Sequence, residues 1–152
     1  MKNITLIILV LFLYSCGYSS IYKNQKSQNF KINIIEAKGN NEMNNLIKNE
    51  IKLYSGKDTT NIYNLKINTE YLKETLTKDS TGVITDYKLS VTSTFTIDLK
   101  EKTKVIELKE TINIKNQSDS LEQNTYEKNI KRSFASSIRE KLISEIFSIN
   151  DN

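Results

Sequence analysis

Residues 83–99 read VITDYKLSVTSTFTIDL. In an extended chain Val83, Tyr87, Leu89, Val91, Phe95, Ile97 and Leu99 fall on one face. Asp86, Lys88, Ser90, Thr92, Thr94, Thr96 and Asp98 fall on the other. Successive side chains in a strand point to opposite faces, so the segment is predicted to be an antiparallel strand with one face on a core and one in water. Upstream, Lys78-Asp79-Ser80-Thr81-Gly82 reads as a turn. Before that turn, residues 62–77 carry the same period, with Tyr63, Leu65, Ile67, Thr69 and Tyr71 on one face and Asn64, Lys66, Asn68 and Glu70 on the other. After Tyr71 the apolar phase shifts to Leu72 and Leu76, which predicts a bulge or a strand end there. Downstream, Glu101-Lys102-Thr103 turns the chain, and Ile106, Leu108, Ile112 and Ile114 mark another strand that ends near Asn116. Three strands joined by short turns form a meander.

Further out, the period changes from two to that of a helix. Phe30, Ile32 and Ile34 alternate in a first strand over residues 30–36, and Gly39-Asn40-Asn41 interrupts it. Apolar residues then fall at 43, 46, 47, 51 and 54, which predicts a helix over 41–55 with Asn40 or Asn41 as N-cap and Gly56 just past the end. At the other terminus Tyr126, Ile130, Phe134, Ile138, Leu142 and Ile146 recur every four residues. Ser120-Leu121-Glu122-Gln123 fits a capping box, with Asn124 as a competing start, so the closing helix is placed at 121–149. The order is β-α-β-β-β-α. A strand that reaches its neighbour through a helix favours a parallel, right-handed crossover. Each helix has one apolar stripe, and both stripes must be buried. The expected fold is therefore α+β: a two-layer sandwich with two helices packed on one face of a four-stranded mixed sheet. Residues 30–152 make a single domain, and no internal repeat is visible.

Composition narrows the function classes. The 152 residues carry 22 Lys+Arg against 18 Asp+Glu, and the basic residues are scattered rather than clustered. A nucleic-acid partner, which needs a basic face, is not expected. The chain has no His, Trp or Pro and a single Cys. Without His it lacks the commonest general base and metal ligand, and no zinc site of ordinary type can be built. The four glycines, at 17, 39, 56 and 82, are too far apart to cradle a phosphate. Glu70 with Glu74, or Asp98 with Glu107, could pair for acid–base work, but they fall on the solvated strand faces or near turns. The charged residues of the closing helix, Lys128, Lys131, Arg132, Arg139, Glu140, Lys141 and Glu145, read as a solvated face with local ion pairs. No enzyme and no cofactor are expected.

The N-terminus has a different character. Met-Lys-Asn is followed by the almost wholly apolar Ile4–Tyr14 and then by Ser15-Cys16. That is the layout of a secretory signal, and the run is shorter than the ~20 residues of a spanning helix. The chain turns polar immediately after Cys16. An intrachain disulfide is impossible with one Cys, and a free thiol in an exported protein is a liability. Leu13-Tyr14-Ser15-Cys16 resembles the bacterial lipobox, although Tyr14 is bulkier than usual at its position. Residues 1–15 are thus expected to be a signal peptide, Cys16 the acylated (palmitate-bearing) N-terminus, and 16–29 an extended tether. Two or more acyl chains at ~0.8 kcal/mol per buried CH₂ give stable attachment, whereas one is marginal.

Cys16-Gly17-Tyr18-Ser19-Ser20-Ile21-Tyr22 resembles the Cys-Gly-Phe-x-Pro-Leu-Tyr opening of the lipopolysaccharide-assembly lipoproteins, the LptE family, with Ser20 where that family has Pro. Thr81–Leu89 resembles the family's turn and following strand. Asn116-Gln117-Ser118-Asp119 and Phe134-Ala135 resemble its closing helix and the approach to it. The resemblance spans essentially the whole chain. It implies the same fold and a site in the outer membrane. It further implies a role as a plug in the large barrel LptD, which delivers lipopolysaccharide to the cell surface. It marks Lys78, at the turn between the second and third strands, as a candidate contact for the anionic lipid. An alternative expectation is an auxiliary lipoprotein of an envelope ABC-type lipid transporter.

Overall fold

The computed structural model describes residues 30–54, 61–98 and 103–150. The elements are β1 (Phe30–Gly39), α1 (Asn41–Tyr54), β2 (Asn61–Lys78), β3 (Ile84–Asp98), β4 (Thr103–Lys115) and α2 (Ser120–Asn150). The strands form one sheet in the order β1-β2-β3-β4. β1 pairs parallel with β2 through the α1 crossover, and the remaining pairs are antiparallel. The architecture is the expected α+β layout, a four-stranded mixed sheet with two helices.

The inward rows come from the alternation described above. Leu65 lies opposite Ile97, Ile67 opposite Phe95, and Tyr71 opposite Val91. Phe95 lies opposite Ile106 and Leu89 opposite Ile112. Met43, Ile47 and Ile51 of α1 and Phe134, Ile138, Leu142 and Ile146 of α2 are buried in the same core. Burying each such side chain contributes about 1.5–3 kcal/mol, so the core is built by the sheet's inner face and two helical stripes together.

Several boundaries differ from the expectations, each for a local reason. β1 runs on to Gly39, and a bulge between Ile34 and Glu36 turns Ile35 outward before Ala37 rejoins the inner face. Gly39 adopts φ +83°, and a Cβ there would lie 2.1 Å from the Thr69 carbonyl oxygen. The next residue, Asn40, donates its backbone N–H to that same oxygen at 2.7 Å. Asn40 is the N-cap of α1: its Oδ1 accepts from the Met43 N–H at 2.9 Å and its carbonyl from the Asn44 N–H at 3.0 Å.

β2 does not break at Tyr71. Its register with β3 is regular through Thr75 and shifts only between Thr75 and Lys78. Lys73 keeps the inward row by reaching α2, while Leu72 and Leu76 stay on the surface. β4 begins at Thr103, inside the expected turn. Val83, expected on the inner face, precedes β3 and is exposed. The N-cap of α2 is Asp119, not Ser120. Asp119 Oδ1 accepts from the N–H groups of Leu121 and Glu122, and its carbonyl accepts from Gln123. Gln123 Oε1 instead accepts from the Gln117 N–H at 2.8 Å, which closes the β4–α2 loop.

Candidate functional site

Cys16, the signal peptide over 1–15 and the tether over 16–29 lie outside the described residues. Lys78 is described. It is the last residue of β2, opposite Ile84, and is exposed. The turn beyond it is organised by Asp79, whose Oδ1 accepts from the Thr81 hydroxyl and from the backbone N–H groups of Thr81 and Val83. These bonds, that from the Thr81 hydroxyl foremost, hold the Asp79 carboxyl below the usual carboxylate range. Gly82 adopts φ +88° and closes the turn, donating to the Asp79 carbonyl at 3.0 Å. One step back, the hydroxyls of Thr77 and Thr85 both donate to Asp86 and hold its carboxyl low in the same way. The hairpin end is thus self-satisfied, and residues 79–83 bring no second basic side chain to Lys78.

The sheet face away from the helices is largely polar, interrupted by the exposed Ile62 and Leu72 of β2 and Val105 of β4. Ser90, Thr92, Thr94 and Thr96 form its central row, flanked by Lys66, Asn68 and Glu70 on β2 and by Glu107, Lys109 and Thr111 on β4. Asn33 donates to Asn64 at 3.1 Å across the β1–β2 pair. A shallow cleft of ≈ 240 Å³ opens between Glu36, Lys38, Lys66, Asn68, Thr94 and Thr96. The carboxylate pairs considered above do not converge on a common substrate position. Glu74 faces Lys88 at 4.0 Å and Asp98 faces Lys66 at 3.9 Å.

The sequence did not reveal a charged cluster between α2 and the sheet. Glu127 accepts from the Tyr71 hydroxyl at 2.8 Å and from Lys73 at 2.7 Å, with Lys131 at 3.6 Å. Lys131 also bonds Glu42 of α1 at 2.7 Å and lies over the Tyr71 ring, and Lys73 lies over the Tyr87 ring. Further along α2, Arg139 is only 5% exposed and meets Glu50 of α1 and Ser136. Glu110, on the inner face of β4, accepts from Ser137 and Lys141. Lys128, Arg132, Glu140 and Lys141 are exposed, as a solvated face requires, but that expectation is corrected at the half-buried Lys131 and the buried Arg139. Lys131, Arg139 and Lys141 bind the helix to the rest of the domain. Only the aromatic Tyr71 in an inward row could have hinted that a polar partner was needed there.

Among the described residues no helix is long and apolar enough to cross a membrane. No family model matches the chain, and no curated protein matches it in sequence. Solved structures do match in fold. One is the rare lipoprotein B from Shewanella oneidensis, with TM-score 0.60 and 15% identity over 79% of this chain and 98% of that one. Another is a minor lipoprotein from Acinetobacter baumannii, with TM-score 0.51 and 14% identity over 76% and 94%. A third is an uncharacterized lipoprotein B from Nitrosomonas europaea, with TM-score 0.53 and 7% identity over 86% and 92%. This chain shares their fold from nearly one end of each to the other.

Proposed function

We propose that the protein is an outer-membrane lipoprotein, anchored through acyl chains on Cys16, that plugs and helps assemble the β-barrel delivering lipopolysaccharide to the cell surface. The observation that carries the reading is the pairing of a lipobox-like Leu13–Cys16 with a fold shared by three bacterial lipoproteins. The Gly17-Tyr18 and Tyr22 signature directs it to the LptE-like branch. The physics of the domain is in keeping. A barrel lumen is polar, so a plug needs a complete core of its own behind a hydrogen-bonding exterior. The two-helix side supplies the core, and the Thr, Ser, Asn and Lys rows of the opposite face supply the exterior. The role is one of structure and interaction rather than catalysis. Lys78 is the proposed contact for the anionic lipid at the hairpin end.

Extraction of whole cell envelopes, inner and outer membranes together, in mild detergent tests this. The chain is expected to co-purify with a large β-barrel protein. Co-purification with an inner-membrane ATPase complex would replace the reading with the transporter-auxiliary one.

A further inference from the structure

A groove of ≈ 380 Å³ runs between β1 and α1 at the corner where the described fold begins. Ile32, Ile34 and Ile51 line it, and Lys31, Lys48 and Lys52 stand around it. Among the described residues, no acidic side chain lines it, and none of the three lysines enters an ion pair or hydrogen bond. Lys38, Lys66, Lys73 and Lys131 each face a carboxylate, and Lys109 and Lys115, which form no ion pair among the described residues, do not line the groove. Three unneutralised ammonium groups around an apolar trough complement a ligand with an anionic head and an apolar body.

We infer that this groove docks on the bilayer surface, holding the headgroups of anionic phospholipids between Lys31, Lys48 and Lys52. The choice of a bilayer as occupant rests on the lipid-anchor reading of Cys16 given above. Lys31 follows Cys16 by fifteen residues. A chain of that length spans at most roughly 50 Å, and a relaxed one about 20 Å. The anchor therefore keeps this corner of the domain beside the leaflet and makes groove binding an intramolecular event, for which weak contacts suffice. Each lysine near an anionic surface adds roughly fivefold in partitioning, and salt screens the effect. The site is separate from Lys78: β1 and β2 run parallel, and the groove lies beside their first residues whereas Lys78 is the last residue of β2.

The test uses the full chain, purified from membranes and reconstituted into vesicles of phosphatidylcholine alone or with about one-third phosphatidylglycerol. Flotation is measured first, and then amine labelling of each lysine by mass spectrometry. Lys31, Lys48 and Lys52 are expected to label several-fold more slowly in the anionic vesicles, with Lys109 and Lys115 of β4 unchanged and the difference lost in high salt. In a Lys48→Glu, Lys52→Glu variant, Lys31 should label equally in both vesicle types. Flotation with neutral vesicles but equal labelling in both overturns the groove while the anchor stands. Flotation with anionic vesicles only, with the three lysines protected, supports the groove and overturns the anchor. Flotation with neither overturns both.

Discussion

The Tyr71 hydroxyl donates to Glu127 Oε1 at 2.8 Å, joining the central sheet to the closing helix across 56 residues of sequence. Lys73 occupies the other carboxylate oxygen at 2.7 Å, and the Glu127 side chain is only 13% exposed. Removing the carboxylate leaves the Tyr71 hydroxyl and Lys73 without this acceptor, while Lys131 keeps Glu42. Glu127→Ala should cost about 2 kcal/mol, and Tyr71→Phe about 1 kcal/mol. Chemical denaturation of the two variants measures both.

The same cluster sets a pH dependence. Burial works to raise the Glu127 carboxyl, but hydrogen bonds from Lys73 and Tyr71 outweigh it and hold the group below its ordinary value of 4.5. A carboxyl lower in the folded than the unfolded state stabilises the fold above the unfolded value, and that contribution is lost as pH falls through the folded one. Burial, followed by the bond to Glu127, pushes the Tyr71 hydroxyl the other way, far above its ordinary value of 10. The folded state then resists ionising, so stability should also fall as pH rises past about 10. Melting curves across pH should show the acid limb flattened in Glu127→Gln and the alkaline limb flattened in Tyr71→Phe.

Two glycines with similar backbones should respond differently. Gly39→Ala meets both a positive φ and the Thr69 carbonyl 2.1 Å from the new Cβ. It should cost at least about 2 kcal/mol and weaken the β1–α1 junction. Gly82→Ala has the positive φ but nothing within 4 Å, so it should cost only about 1 kcal/mol. Comparing the two denaturation midpoints separates backbone strain from the clash.

The cap of the closing helix gives a third contrast. Asp119→Ala strips the acceptor from the N–H groups of Leu121 and Glu122 and should cost about 1 kcal/mol. Ser120→Ala should be near neutral. Equal losses from both would restore Ser120 as the cap.

Most of the architecture is legible in local pattern. The alternation over 83–99 makes β3, the recurrence of Ile130, Phe134, Ile138 and Leu142 makes α2, and the helix between two strands makes their pairing parallel. What the pattern hides is long-range or competitive. Asp119 lies beside a Ser-x-x-Gln run with its own capping logic, and only the geometry shows which oxygen reaches the free N–H groups. Lys73 sits where period two demands an apolar residue, so the strand looks broken until its partner Glu127 is known. Lys131 and Arg139 look like solvent-facing charges because Glu42 and Glu50, their partners, come from another helix. Of the site residues, Lys78 is visible as a turn lysine, whereas the convergence of Lys31 with Lys48 and Lys52 depends on α1 crossing beside β1.

The anchor makes a separate prediction. Cells grown with radioactive fatty acid should label the wild-type chain and leave Cys16→Ala unlabelled and released from the membrane fraction. Equal labelling of the two would remove the anchor.

The central claim is the barrel-plug role, and cross-linking in intact cells combined with depletion tests it most directly. The account predicts a covalent adduct between this chain and a large outer-membrane β-barrel, and a fall in surface lipopolysaccharide when the chain is depleted. Recovery of the chain as an uncross-linked monomer, with surface lipopolysaccharide unchanged after depletion, would contradict it.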